Sequence, residues 1–321
     1  MLKVDDLVVS VGPSVDLLDI VNGVSFGIGP GEILALVGES GCGKSMTSLA
    51  VMGLLPKPDA RVRRGRIALD GADVTEATPF ERVRRGHGGI AMVFQEPMTS
   101  LNPVMRIGEQ IAEAARVHDP GVDEAARVRE LLDLVRIPDA ALQIRAYPHE
   151  LSGGMRQRVM IGVALACRPK VLIADEPTTA LDVTVQRQIL GLVRELCDSL
   201  DMGVLFITHD LGVVSQLADR VAVMYAGRII ESGTVARIFE APLHPYTRGL
   251  MDCVPDPATG HEKLHTIPGQ APRPYDLPDG CAFAPRCFRA GDVCRAGPVP
   301  RVDEGGHHAV CHFPLVAEAT T

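Results

Sequence analysis

The sequence predicts an α/β fold in which a mostly parallel sheet is covered by helices. Three observations carry that expectation. Short β-branched runs at Ile33–Val37, 91–94, 171–174, 204–208 and 221–225 alternate with helix-like or loop segments, the pattern of strands buried on both faces. The first run leads into Gly38-Glu39-Ser40-Gly41-Cys42-Gly43-Lys44-Ser45 and then a helical pattern, which is a complete phosphate-binding loop in its proper setting. The run 171–174 ends in Asp175-Glu176, so carboxylates emerge at the C-terminal end of a strand, where ligands bind in open α/β sheets.

Each element of the expected site has a chemical reason. The loop glycines let backbone N–H groups wrap a phosphate, and the helix beginning near Ser45 and Met46 aims its positive end at the same place. Lys44 is placed to neutralise the β and γ phosphates, and Ser45 to ligate Mg²⁺. Cys42 occupies a free loop position whose backbone does the work. Asp175 is the second Mg²⁺ ligand and Glu176 the general base that polarises the attacking water; the same Asp-Glu pair could also cap a helix. Gln95 follows the strand 91–94 as a ligand for Mg²⁺ or the lytic water. His209 follows the strand 204–208 within reach of the γ-phosphate. Leu151-Ser152-Gly153-Gly154-Met155 opens an apolar helix and is either ordinary capping or a second anion site. A spare anion site in a chain that already has a phosphate loop points to a nucleotide shared between two subunits.

Residues 106–145 are rich in Ala, Glu, Arg and Leu and predict a helical insert, with a helical subdomain over about 97–158. Tyr225-Ala226-Gly227-Arg228 predicts a tight turn into a closing strand. Near residue 241 the composition shifts to Pro, Gly, His and Cys and helical periodicity is expected to stop. The division predicted is 1–240 and 241–321.

Composition excludes several classes. A net charge of −8 over 321 residues gives no electrostatic support for a nucleic-acid partner. No uncharged stretch approaches the ~18 residues needed to cross a bilayer, and the N-terminus lacks a secretory pattern, so a cytoplasmic protein is expected. Cys281, Cys287, Cys294 and Cys311 cluster, and in a reducing compartment they suggest a metal site rather than disulfides. Four thiolates suit zinc or a [4Fe–4S] cluster. The lack of Cys-x₂-Cys pairs favours iron–sulfur over Zn²⁺, with four unliganded thiols as a third reading. His307, His308 and His312 are alternate ligands in this reading, although a His cluster in a polar tail is more often solvated.

Taken together these motifs resemble the ATP-binding cassette family. The resemblance assigns Gly38 to Ser45 as the Walker A loop, Gln95 as the Q-loop, Ser152, Gly153 and Gly154 as the signature, and Asp175 and Glu176 as the Walker B pair. It further assigns Asp182 to the D-loop and His209 as the switch histidine. It implies a P-loop NTPase (RecA-like) sheet core with a helical signature subdomain and a small Cys-rich irregular C-terminal extension. Gln95-Glu96-Pro97-Met98-Thr99, His244-Pro245-Tyr246 and Gly280-Cys281-Ala282-Phe283-Ala284-Pro285-Arg286-Cys287 resemble the dipeptide and oligopeptide importer branch. That likeness implies ATP hydrolysis driving peptide import, with nickel or glutathione as alternative cargo. The implied partners are a second, related ATPase chain, two membrane permeases and an extracytoplasmic peptide-binding protein, with this chain on the cytoplasmic face of the membrane. Some members carry a [4Fe–4S] cluster in a similar tail. The family places an aromatic residue before the loop to stack on adenine; here no aromatic precedes Phe26, and Val11 or its neighbours are expected to take that contact.

Overall fold

The structure, a computed structural model, describes residues 1–13, 17–84, 88–95, 100–179, 181–254 and 266–315. The chain opens with an antiparallel pair, β1 (Leu2–Val11) and β2 (Leu18–Ile28). It continues through β3 (Ile33–Val37), β4 (Ala60–Leu69), β5 (Ala72–Asp73), β6 (Ile90–Val93), β7 (Val171–Asp175) and β8 (Gly203–Thr208). The last four strands are β9 (Arg220–Tyr225), β10 (Arg228–Thr234), β11 (Arg301–Glu304) and β12 (His307–Val310). A four-stranded sheet has the order β2-β1-β4-β5, and an eight-stranded sheet the order β11-β12-β10-β9-β3-β8-β7-β6.

The parallel core of the larger sheet is β9, β3, β8, β7 and β6. Every residue of β3, β7 and β8 is buried, as strands covered on both faces require. Register brings Val37 beside Thr208, Asp175 beside Ile207 and Val93 beside Ala174. The C-terminal ends of four strands, and hence Gly38, Gln95, Glu176 and His209, therefore open on one side of the sheet.

Two apolar cores flank this sheet. One packs β7 and β8 against the helices Ile107–His118, Glu124–Leu134, Gly153–Leu165 and Val183–Ser199. The other lies between the two sheets, around the helix Lys44–Met52. That helix stops at Gly53, whose φ of 75° lets its N–H bond Ala50 and Leu49, a left-handed C-terminal cap. A third cluster joins β3, β9 and β10 to the chain beyond 241 through Tyr225, Tyr246 and Phe283.

Several expectations are corrected. The N-terminal antiparallel sheet was not foreseen. Helical structure does not stop at 241: Pro245–Asp252 is a helix, with Pro245 in the first turn and His244 as its cap. The chain beyond 241 is not only irregular, since β12 pairs with β10 and carries β11 with it. His307 is not solvated: it is buried against Glu231 at 2.7 Å, and His308 bonds the Ser232 hydroxyl. Parts of the expected readings at 96–99, Ala180, 255–265 and 316–321 lie outside the described residues. Among the described residues no helix is long and apolar enough to cross a membrane.

Candidate active site

A cavity of about 670 Å³ opens at the C-terminal strand ends. Its floor is the predicted loop: Gly38, Glu39, Ser40, Gly41, Gly43, Lys44, Ser45 and Met46 all line it. Gly43 has φ 105°, and a Cβ there would meet Met224 Cε at 2.8 Å and the Ile20 carbonyl at 3.0 Å. Only glycine allows that close approach. Cys42 is buried under the loop, and burial raises its pKa despite nearby Lys44, which agrees with a filler role. Lys44 Nζ donates to the Gly38 and Glu39 carbonyls at 2.8 and 3.0 Å. Its ammonium is thus held inside the curve of the loop.

Across the cavity stands Glu176, at φ 47°. A non-glycine residue in the left-handed region is strained and concentrates at functional sites. The Glu176 N–H bonds the Ile207 carbonyl at 2.9 Å, which holds the turn against β8. Its carboxylate accepts from Gln95 Nε2 and Thr179 Oγ1, both at 3.1 Å, and lies 3.2 Å from His209 Nδ1. Gln95 and His209, distant in sequence, therefore converge on one carboxylate. Asp175 sits behind, with Ser45 and Ser48 hydroxyls each 3.4 Å from its oxygens. Burial pushes its pKa up, while those hydroxyls work in the opposite direction. Both serine contacts are at the long limit of hydrogen bonding, so Ser45 and Asp175 present oxygen ligands of the kind Mg²⁺ takes.

The remaining predicted residues lie elsewhere. Ser152 is exposed and caps the helix Gly153–Leu165, its hydroxyl accepting from the Met155 N–H at 3.3 Å. A Cβ on Gly154 would meet Val185 Cγ1 at 2.5 Å, so this helix end packs closely on the next helix. Asp182 caps that helix by accepting from Thr184 and Val185. Neither the Ser152-Gly153-Gly154 corner nor Asp182 lines the cavity that holds the phosphate loop.

The sequence reading missed part of the site. The cavity wall before the loop is Ile20, not Val11; β2 turns Ile20 toward Gly43, while Val11 pairs with Leu18 and Ala60 in the smaller sheet. Leu211 and Leu250 complete the apolar wall. Arg286 also went unnoticed. Its two terminal nitrogens grip the Glu39 carboxylate at 2.8 and 3.0 Å. With the two 247 positions apart in sequence, no local pattern could announce the pair.

The four tail cysteines share a cavity of about 10 Å³, lined also by His244 and His312. Burial raises the pKa of Cys281 and Cys287 and pushes Cys311 up to about 11. His244 Nε2 and His312 Nε2 are buried and have no hydrogen-bond partner among the described residues. Yet no group of three or more His, Cys, Asp or Glu side chains among them is arranged to hold a metal ion. Cys281, Cys287, Cys294 and Cys311 are thus gathered around one small space, without their side chains standing in a metal-holding arrangement.

The comparisons with known proteins agree with this geometry. A family model described as "ABC transporter" matches residues 21–179, and one described as "Oligopeptide/dipeptide transporter, C-terminal region" matches 230–294. The chain is 52% identical over 276 residues to the oligopeptide transport ATP-binding protein AppD of Bacillus subtilis, covering 85% of this chain and 84% of that one. It is 46% identical over 318 residues to the dipeptide transport ATP-binding protein DppD of Escherichia coli, covering 98% and 97%. A solved structure of an ATP-binding subunit of an ABC transporter superposes with a TM-score of 0.60 at 29% identity, covering 74% of this chain and 91% of that one. The loop and its facing carboxylate thus sit on a cassette ATPase core, and the chain belongs to the ATP-binding cassette transporter family, in the branch that carries the oligopeptide/dipeptide transporter C-terminal region.

Proposed function

We propose that this chain is the ATP-hydrolysing subunit that powers import of short peptides through partner membrane permeases. The observation that carries the reading is the convergence of Gln95, Thr179 and His209 on Glu176 across the cavity from Lys44. The loop N–H groups and Lys44 bind the triphosphate and fix its orientation. Glu176 takes a proton from the attacking water. Gln95 and His209 aim that carboxylate and answer to the γ-phosphate. Ser45 and Asp175, with Gln95 beside them, would hold Mg²⁺, which would neutralise charge on the phosphates. Peptide as cargo follows from the names of the relatives and the matching C-terminal region.

The exposed signature corner completes the site of a second ATPase, a related chain, whose own corner completes this one. Its separation from the cavity supports this: Ser152 and its helix N-terminus lie apart from the phosphate loop of their own chain, so a nucleotide that met them would be one held by another subunit. The working assembly then contains two ATPases, two permeases and an extracytoplasmic peptide-binding protein, with this chain peripheral on the cytoplasmic face. Residues 1–240 form the cassette and 241–321 the importer-type extension.

The tail holds a [4Fe–4S] cluster on Cys281, Cys287, Cys294 and Cys311, or alternatively Zn²⁺. The support is that four thiols border one cavity with two unpartnered imidazole nitrogens beside it. A bound cation would stabilise the thiolates that burial disfavours.

Purification of the chain from membranes tests the transport assignment. Two permeases and a peptide-binding protein should come with it. Recovery with a nickel- or glutathione-binding protein instead would replace the cargo and leave the ATPase role intact.

A further inference from the structure

The phosphate loop is held by the far end of the chain. Arg286 lies between Cys281 and Cys287 and is buried. Its guanidinium makes a fork on Glu39, bonds the Tyr225 hydroxyl at 3.3 Å and bonds the Pro268 carbonyl at 2.8 Å. Tyr246, in the helix Pro245–Asp252, accepts from the Glu39 N–H at 2.9 Å. Both the backbone and the side chain of the loop's second residue are therefore tied to residues beyond 241.

This matters because Glu39 is an anion in a cavity built for anions. It lines the phosphate cavity, and its side chain keeps 27% of its surface open. An uncompensated carboxylate there would repel a triphosphate over several ångströms in a partly desolvated site. A planar, bidentate guanidinium is the group that best cancels it. Burial works against the Arg286 charge, but its bonds to Glu39 and Tyr225 outweigh that and hold it firmly protonated. Tyr225 and Phe283 rings flank it at 5.9 and 6.0 Å and help fix its place.

We propose that Arg286 is a positioning residue for the nucleotide reaction: it neutralises Glu39 and fixes the phosphate loop, so the fold of the cysteine tail sets the affinity for ATP. The inference rests on the ATP-binding reading above and requires no metal in the tail. The Glu176 network does not include Arg286, so the effect falls on binding rather than on the chemical step.

The test is equilibrium binding of ATP and of ADP to the full chain, wild type against Arg286→Gln, Arg286→Lys and the double variant Glu39→Gln/Arg286→Gln. Arg286→Gln should weaken ATP about tenfold, equivalent to about 1.4 kcal/mol, and should weaken ADP less because ADP carries less charge. Arg286→Lys keeps the charge without the fork and should bind ATP more tightly than Arg286→Gln. The double variant removes the stranded carboxylate and should recover most of the loss. Wild-type ATP affinity in Arg286→Gln overturns the proposal. So does a double variant as weak as the single, because the pair would then only fasten the tail. A wild-type chain that binds no ATP overturns the ATP-binding reading itself.

Discussion

Glu231→Ala should strip the extension from the cassette, and the structure sets the size of the effect. Glu231 lies in β10 with 0% exposure. Its carboxylate accepts from the Leu243 N–H at 2.6 Å, the His244 N–H at 2.8 Å and His307 Nε2 at 2.7 Å. All three donors belong to the chain beyond 241. Alanine leaves them buried without an acceptor, at about 1–3 kcal/mol each. Removing the buried carboxylate also removes its desolvation cost, so the net loss resembles that of breaking a buried pair, about 3–5 kcal/mol. At about 2–4 °C per kcal/mol for 150–250 residues, and toward the lower value in a chain of 321 residues, the melting temperature should fall by roughly 6–10 °C. Thermal melting and limited proteolysis beyond 241 read the outcome, and Glu231→Gln, which keeps one acceptor oxygen, should fall less. An alanine variant that melts with the wild type and resists protease equally would refute the view that this carboxylate anchors the extension.

Three further outcomes follow from the site. Glu176→Gln should lower kcat about 10²–10⁴-fold while retaining ATP binding, and light scattering with ATP should then show an accumulated dimer; an active variant would remove Glu176 as the base. Ser152→Arg should bind ATP normally yet hydrolyse none, since the corner serves the partner's nucleotide; normal turnover in a single-turnover assay would refute sharing. Anaerobically purified chain should contain iron and sulfide and lose both in Cys287→Ser; stoichiometric zinc without iron would establish the alternative metal.

Much of the site was legible because its residues sit on short, fully buried strands. Ile33–Val37, Val171–Asp175 and Gly203–Thr208 are buried throughout, and the residues that follow them, Gly38, Glu176 and His209, line the cavity. The N-terminal sheet was hidden for the opposite reason. β1 and β4 are interrupted by register shifts, and β4 carries Arg61, Arg63, Arg64 and Arg66 on its open face, so alternation never settles into a clean period of two. Ile20 rather than Val11 lines the cavity before the loop because strand pairing, not distance along the chain, decides which residue faces the loop. His307 read as solvated because only its partner Glu231, 76 residues away, makes burial tolerable. The same holds for Arg286 and Glu39.

The hairpin of β11 and β12 has one more consequence. β10 is a seven-residue strand carrying Ile229 and Ile230, and without β12 its outer row of peptide groups would face solvent unpaired. Such an open strand invites pairing with a neighbouring molecule. The hairpin closes it and offers instead the short, charged Arg301-Val302-Asp303-Glu304 as the outermost rung. A cassette trimmed at residue 240 would keep Lys44, Ser45, Gln95, Asp175, Glu176 and His209 and yet be prone to self-association, because the extension is also what keeps the sheet from growing.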